Sequence, residues 1–304
     1  MSQPLHIAIV STGRSGTTWL QLLLAHLYDA HPVGARNWDE ESGRFAQDAH
    51  HGLLYRLTHK HYDDFSDFWG TLPHRSIIHA HWHAHPAVVE ALEQAAVPII
   101  TVARHPLDVL ISHLAWVNRN TTEELGLDAL RGATPTSGAF LDFATGELAQ
   151  WLLSITPGWW LRDVIRVRYE DLRADPRTEV ARITAEIGVK PTGEVDQALA
   201  SSDLRRLQEK ESLLSRLVPA SRRQAALALW ARLGGGREAY VDQHRERKHF
   251  WQGQPGLWRS FLPSEQAERI AAAHQPSFDL FNYPVDPDPT LTPAQAESNW
   301  RALL

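Results

Sequence analysis

The sequence predicts an α/β fold with three layers, α/β/α, in which a central parallel sheet lies between two layers of helices. Short apolar runs rich in β-branched residues alternate with segments whose apolar residues recur at helical spacing. These runs are mainly apolar, which is typical of strands that are buried on both faces. The chain has 304 residues, which is long enough for one large domain of this class.

Four strand–helix units follow one another along the chain. The predicted strands are Leu5–Val10, Ser76–His81, Pro98–Ala103 and Val164–Tyr169. The predicted helices are Thr17–Asp29, a helix that begins at Pro86, a helix that begins at Pro106, and Pro176–Ile187. Proline suits the first turn of a helix, where its missing N–H costs nothing. Since ligands of such sheets bind beyond the carboxyl ends of the strands, we expect the site at that edge.

The organisation of the chain is predicted to be one domain over residues 1–283 with a short tail. Three irregular segments, at about 36–75, 113–160 and 205–250, are expected to form the walls of a pocket. Residues 284–304 begin with the proline-rich sequence PVDPDPTLTP, which favours an extended tail.

Composition and charge exclude several classes of function. There is no cysteine, which excludes disulfides, thiolate zinc sites and a cysteine nucleophile. The net charge of −6 gives no general attraction to nucleic acid or to an anionic membrane. The chain begins with a short polar stretch and has no long apolar run, so we expect a cytoplasmic protein with neither of these partners. The oligomeric state is left open.

The loop after the first predicted strand has the composition of a phosphate cradle. It reads Gly13-Arg14-Ser15-Gly16-Thr17-Thr18 and leads directly into a helix. Glycine lets the backbone approach an anion, and the helix directs its N-terminal N–H groups at the same point. The spacing differs from the ATP-type loop G-x-x-x-x-G-K-[ST], and there is no lysine before the threonines. The alternative is a glycine-rich turn that only joins strand to helix.

Other strand ends contribute further polar residues to the same edge. Arg104 ends the third strand, and Ser112 lies two turns into the next helix, so the pair can form a second anion site. His79 and His81 end the second strand. Histidines alternate from His79 to His85, which leaves a metal site as an alternative, although Pro86 should bend the chain.

Four segments resemble the PAPS-dependent sulfotransferase family, where PAPS is 3′-phosphoadenosine 5′-phosphosulfate. The first segment, STGRSGTTWL at 11–20, is similar to the family's 5′-phosphosulfate loop, and RHPLDVLIS at 104–112 is similar to its 3′-phosphate motif. The segments VRYEDLRADP at 167–176 and GLWR at 256–259 resemble two further family motifs. The resemblance implies a P-loop-NTPase-like sulfotransferase fold and indicates a soluble, bacterial-type member.

The resemblance implies a role for each matching residue. Arg14 would contact the bridging region of the phosphosulfate and act in catalysis, His81 would be the base, and His79 would take the place of a neighbouring catalytic lysine. The remaining cofactor-binding residues would hold the 5′-phosphate, the adenine and the 3′-phosphate; they are Ser15, Gly16, Thr17, Thr18, Trp19, Arg104, Ser112, Tyr169 and Gly253.

The sequence departs from the family pattern at Arg14 and in the triplet before GLWR. Arg14 replaces the lysine of the cytosolic small-molecule branch. Some other branches use a glutamate as base, so the carboxylates at 39–41 (Asp39, Glu40 and Glu41) remain alternatives to His81. The basic triplet expected before GLWR reads Trp251-Gln252-Gly253 and lacks its arginine, for which Arg247 and Lys248 are candidate substitutes.

The expected function is the transfer of a sulfuryl group from PAPS to a hydroxyl or amine of an unidentified small molecule, without a metal. A P-loop-type small-molecule kinase is one alternative; it would need a carboxylate for Mg²⁺, and Asp108 and Glu170 are the candidates at the strand ends. A non-catalytic nucleotide-binding module is the other alternative, and it would tolerate the loss of His81.

Overall fold

Five parallel strands form the central sheet. The computed structural model describes residues 4–35, 38–39, 41–45, 64–120, 127–203 and 251–304, together with 207, 226, 237, 240–242 and 244. The strands are β1 (Leu5–Val10), β2 (His31–Gly34), β3 (Trp38–Asp39), β4 (Arg44–Phe45), β5 (Arg75–Ala80), β6 (Ile99–Ala103) and β7 (Ile165–Arg168). The order in the main sheet is β2-β5-β1-β6-β7, while β3 and β4 form a separate antiparallel pair.

Helices cover both faces of the sheet. In the described residues they are α1 (Thr17–Leu27), α2 (Phe65–Thr71), α3 (Pro86–Gln94), α4 (Pro106–Arg119), α5 (Gly138–Thr145), α6 (Glu147–Trp160), α7 (Tyr169–Ala174), α8 (Pro176–Ile187), α9 (Val195–Ser201), α10 (Ser264–Ala273), α11 (Gln275–Phe281) and α12 (Pro293–Leu303). Two short 3₁₀ helices span Leu127–Leu130 and Leu257–Ser260. None of the helices in the described ranges is long and apolar enough to cross a membrane.

The predicted three-layer architecture is confirmed. One face of the sheet packs against α1 and α8 through residues such as Leu23 and Ile183. The other face packs against α3 and α6 through residues such as Val88 and Trp159. All four predicted strands form, within about one residue of their expected ends, and the edge strand β2 is an additional one.

The strand register brings the carboxyl ends of the strands to one edge. Val10 of β1 pairs with Ala80 of β5, and Ala103 of β6 pairs with Arg168 of β7. The residues that follow β1, β5, β6 and β7 therefore meet along a single edge of the sheet, which is the predicted position of the site.

The prediction of an irregular segment at 113–160 is wrong. Helix α4 continues to Arg119, because Leu114, Trp116 and Val117 extend its apolar face and are buried. Helices α5 and α6 then occupy most of the remaining residues. The segment 36–75 also contains the β3–β4 pair and α2. Most of the segment 205–250 lies outside the described residues.

The prediction of an extended tail is wrong for its last part. Residues 284–292 contain neither helix nor strand, but Pro293 begins α12. The Thr292 side chain and Gln295 form a reciprocal capping box at its start. The Trp300 ring packs edge-on against Phe261, with centroids 5.3 Å apart, and this anchors the helix in the core.

The buried ring of Trp300 makes α12 part of the fold, and its removal tests this role. Trp300 is 1% exposed, so Trp300→Ala should lower the free energy of unfolding by about 3–5 kcal/mol through a large cavity. Urea denaturation measures the change. Arg301→Ala alters an exposed neighbour on the same helix and should cost less than about 1 kcal/mol. Equal, small effects of the two substitutions would contradict a docked tail.

Candidate active site

The loop between β1 and α1 has an unusual backbone conformation that shapes the site. Arg14 has φ +66° and Gly16 has φ +90°, both in the left-handed region. A Cβ on Gly16 would lie 2.4 Å from Cδ2 of Tyr169, so only glycine lets that ring approach the start of the helix. Gly16 also has no side chain to cap α1, which leaves the first N–H groups of the helix available to an anion.

The two predicted anion sites adjoin each other. Nε of Arg14 donates a hydrogen bond of 3.2 Å to Oγ of Ser112. Nη1 of Arg104 donates one of 3.0 Å to the carbonyl of Arg14. Two guanidinium groups, a hydroxyl and a helix N-terminus therefore surround one small region at the edge of the sheet, which suits a ligand with more than one anionic group.

The Arg104 side chain is buried at this site and packs against Tyr169. Its Cζ lies 4.6 Å from the centroid of the Tyr169 ring, which is a cation–π contact, and the residue is buried. Within the part of the chain that the structure describes, Nε of Arg104 has no hydrogen-bond partner. A buried charged donor without a partner is costly, so this atom fits an anionic ligand that completes its bonding.

His81 has the tautomer of a general base. Its Nδ1 lies 2.7 Å from the carbonyl oxygen of Ser11, which can only accept, so Nδ1 carries the proton and Nε2 presents a lone pair. Burial lowers the pKa of His81 below its usual value, the charge of Arg14 lowers it further, and the bond to Ser11 opposes both. The ring is therefore neutral near pH 7.

His79 lies beside His81 and is also neutral. The two rings meet edge to face with centroids 4.7 Å apart. Nε2 of His79 is 2.8 Å from Oγ1 of Thr17, the first residue of α1. Burial lowers the pKa of His79 well below its usual value, and the nearby His81 and His244 lower it further. This position therefore supplies a hydrogen bond rather than a charge.

Aromatic residues form the next part of the site. The rings of Trp19 and Tyr169 meet edge to face with centroids 6.3 Å apart. The Tyr169 hydroxyl donates to the carbonyl of Gly253 at 2.6 Å, so the predicted C-terminal loop does reach the site. Cζ of Arg173 lies 5.3 Å from the Trp19 ring. Of the remaining loop residues, Ser15 is buried and Thr18 is half-buried.

Two carboxylates that the kinase alternative requires are already bound within the protein. Asp108 accepts hydrogen bonds from the backbone N–H groups of Gly256, at 2.6 Å, and Trp258, at 3.0 Å. Glu170 accepts from the N–H of His105, at 3.1 Å, and from the hydroxyl of Tyr283, at 2.6 Å. Both carboxylates thus fasten the C-terminal segment to the strand ends. The sequence identified these residues but did not indicate this role.

The histidines beyond His81 do not join a metal site. β5 ends at Ala80, so the alternation of side chains stops there. The His83 ring packs against Trp151, and the His85 side chain accepts a hydrogen bond from the Ala87 N–H at the start of α3. Across the described ranges, no three His, Cys, Asp or Glu side chains are grouped to hold a metal ion.

The alternative bases at 39–41 are only partly described. The Asp39 carboxylate accepts the N–H groups of Glu41 and Ser42 in a tight turn, at 3.0 and 3.4 Å. These bonds, with one from the Ser42 side chain, lower the pKa of Asp39, which makes it a weaker base. Glu40, Arg247 and Lys248 lie outside the described residues.

Comparison with known proteins identifies the family. A sequence model described as the sulfotransferase domain matches residues 4–282, and the chain belongs to that family. Cytosolic sulfotransferase 10 of Arabidopsis thaliana is 24% identical over 298 residues, 88% of this chain and 76% of that protein. Cytosolic sulfotransferase 14 of the same plant is 24% identical over 209 residues, 64% of this chain and 57% of that protein.

Solved structures share the fold. Mouse sulfotransferase SULT7A1, in complex with PAP, aligns with a TM-score of 0.60 and 15% identity over 93% of this chain and 90% of that chain. Retinol dehydratase, in complex with androsterone and the inactive cofactor PAP, aligns with a TM-score of 0.52 and 16% identity over 91% of this chain and 82% of that chain. The predicted family and fold are thus confirmed.

The Asp108 carboxylate should be important for stability, because it accepts hydrogen bonds from the buried N–H of Trp258 and the partly buried N–H of Gly256. Asp108→Asn replaces one acceptor oxygen by an amide N–H and should lower the free energy of unfolding by about 1.5–3 kcal/mol. Amide hydrogen exchange at Gly256 and Trp258 should accelerate in the same variant. Asp171→Asn, on exposed Asp171, is the matched control. Unchanged exchange at both amides would contradict this role.

Proposed function

We propose that this chain is a PAPS-dependent sulfotransferase that acts on a hydroxyl or amine of a small molecule. The observation that carries the proposal is the hydrogen bond between Nδ1 of His81 and the Ser11 carbonyl, which leaves a lone pair on Nε2 of a ring whose pKa is lowered by burial and by the charge of Arg14. Arg14 in turn bonds to Ser112 and accepts from Arg104, which joins the base to the anion site. General base and anion site are the two requirements of sulfuryl transfer from an anionic donor.

The residues present fit the donor nucleotide. The α1 N-terminus, with Ser15, Gly16, Thr17 and Thr18, would hold the 5′-phosphosulfate. Arg104 and Ser112 would hold the 3′-phosphate, and the unsatisfied Nε of Arg104 is the donor that this group would complete. The adenine would lie against Trp19 and near Tyr169 and Gly253. When bound, PAPS supplies a sulfuryl group that is activated by a phosphate leaving group.

The protein's own residues provide the proton transfer and the charge stabilisation. Nε2 of His81 takes the proton of the acceptor hydroxyl as its oxygen bonds to sulfur. Arg14 and the N–H groups of α1 stabilise the negative charge that grows on the bridging oxygen as the sulfur–oxygen bond breaks. These donors are fixed before the reaction, which is the main source of such stabilisation.

His79 would position Thr17. A neutral imidazole has one N–H, and we assign it to Nε2, which then donates to Oγ1 of Thr17 across the observed 2.8 Å. The Thr17 hydroxyl would keep its own proton for a phosphate oxygen. His79 would therefore assist catalysis without carrying the charge of a lysine.

The site fits a sulfotransferase better than a kinase or a non-catalytic nucleotide-binding module. A kinase would need Asp108 or Glu170 for Mg²⁺, and both accept hydrogen bonds from the C-terminal segment instead. A non-catalytic module would have no use for a neutral histidine that keeps a lone pair on Nε2 and lies near Arg14. The acceptor itself is proposed only as a small molecule.

Location and domain organisation are proposed from the relatives. Two relatives bear the name cytosolic sulfotransferase, which supports a cytoplasmic location for this chain. The family match over 4–282 supports a single catalytic domain.

Arg104 should be required for nucleotide affinity. Arg104→Ala should weaken the binding of PAP, the desulfated nucleotide, by about 1.5–3 kcal/mol, or roughly 10- to 150-fold, because it removes charge-assisted hydrogen bonds. Calorimetric titration measures this change. Arg177→Ala removes an exposed arginine paired with Asp196 and serves as the control. An unchanged affinity in Arg104→Ala would remove this residue from the site.

His81 should be required for turnover and not for nucleotide binding. His81→Ala should lower kcat by about 10²–10⁴-fold in assays with a panel of phenols and alcohols, with PAP affinity nearly unchanged. Protonation inactivates the base, and the pKa of His81 lies below its usual value of about 6.5. The kcat/KM of the wild type should therefore stay constant as the pH is lowered to about 6.5 and decrease only at more acidic pH.

His31→Ala, on an exposed strand residue, is the control for the loss of a histidine. Full activity of His81→Ala would move the base to the carboxylates at 39–41. A wild type that binds PAP but transfers sulfate to none of the panel would favour the non-catalytic module.

A further inference from the structure

A third histidine, His113, lies beside the β1–α1 loop and close to His81. His113 follows Ser112 in α4 and is only 5% exposed. Among the described residues, neither of its ring nitrogens has a hydrogen-bond partner of good geometry. Buried histidines normally satisfy at least one nitrogen, so this arrangement needs an explanation.

The ring of His113 converges with that of His81 on the loop. A Cβ placed on Gly13 would lie 3.4 Å from Cε1 and 3.6 Å from Nε2 of His113, and 3.7 Å from Cε1 of His81. The two imidazoles therefore flank Gly13, the residue immediately before Arg14. Nε2 of His113 is on the side of its ring that faces the loop.

The charges around His113 keep it neutral. Burial, together with the charges of Arg14 and His81, lowers its pKa to about 3, while a weak hydrogen bond to the Gly13 backbone acts in the opposite direction. The groups that face it come from the loop, through Arg14, and from the end of β5, through His81, with His79 behind. A neutral imidazole offers one N–H donor and one acceptor.

A buried imidazole without a hydrogen bond of good geometry destabilises the folded protein, because its nitrogens have lost their bonds to water. An apolar ring of similar size would fill the same volume without this cost. A buried ring that has only a weak bond to Gly13 in the free protein, and that faces the loop beside His81, can exchange this bond for a better one to a ligand.

We propose that Nε2–H of His113 donates a hydrogen bond to an oxygen of the sulfuryl group while that group passes between donor and acceptor. This inference rests on the proposed function and deepens it. The sulfuryl oxygens carry negative charge in transfer, and a neutral donor can bond to them without competing with His81 for the acceptor proton. His113 is thus a catalytic residue additional to His81 and Arg14.

The bound state can be observed directly by NMR of the full-length protein with labelled imidazole rings. The Nε2 signal of His113 is assigned by its absence in His113→Gln. PAP alone should leave this signal nearly unchanged, whereas PAP with vanadate, which adopts the geometry of a group in transfer, should shift it. A shift with PAP alone would assign the contact to the 5′-phosphate and overturn the proposal, as would no shift in either case.

Kinetics of two variants separate hydrogen bonding from packing. His113→Phe keeps a ring but removes both nitrogens, and should lower kcat by about 10²-fold with PAP affinity within about twofold of wild type. His113→Gln can place an amide N–H near the Nε2 position and should recover much of that loss. Equal activity of the Phe variant and the wild type, or equal loss in both variants, would overturn the proposal.

Two controls keep the outcome specific. His274→Phe alters another buried histidine, whose Nε2 bonds to the Ala144 carbonyl, and thermal unfolding of all variants checks that they fold. If the wild type neither bound PAP nor transferred sulfate, the proposed function would fail, and this inference with it. If the wild type did both and His113→Phe matched it, only the role of His113 would fail.

Discussion

The turn at Arg14 is the constraint on which the rest of the site depends. Its left-handed backbone directs the Arg14 carbonyl to Arg104 and the guanidinium to Ser112, so that strands β1 and β6 and helix α4 are joined at one point. Gly16 then allows the Tyr169 ring to lie against the start of α1. These contacts therefore bring the proposed anion site and the proposed base together, although they lie on separate elements at the edge of the sheet.

The balance of charge at this point defines its chemistry. Arg14 and Arg104 provide fixed positive charge, while burial keeps His79 and His81 neutral near pH 7. A neutral base beside fixed cations can accept a proton in the same region in which an anion is held. The C-terminal segment closes the arrangement through Asp108, because its carboxylate fixes the loop that reaches Tyr169.

Local patterns were sufficient to predict four of the five strands in the main sheet and the loop between β1 and α1. β1 formed at its predicted bounds, because its short apolar, β-branched run favours a buried strand. Long-range contacts were not predictable: α12 is stabilised by packing of Trp300, and Asp108 binds backbone groups about 150 residues away. His113 carries no sequence signal, since its burial against Gly13 arises only from the packing of α4 on the loop.

The central claim is that one cradle holds both phosphates of the nucleotide, and calorimetric titration without metal tests it most directly. PAP should bind far more tightly than adenosine 5′-phosphate, which lacks the 3′-phosphate. Arg104→Ala should abolish most of this difference, because the residue would bind that group. Equal affinity for the two nucleotides in the wild type, or a difference that persists in Arg104→Ala, would contradict the account.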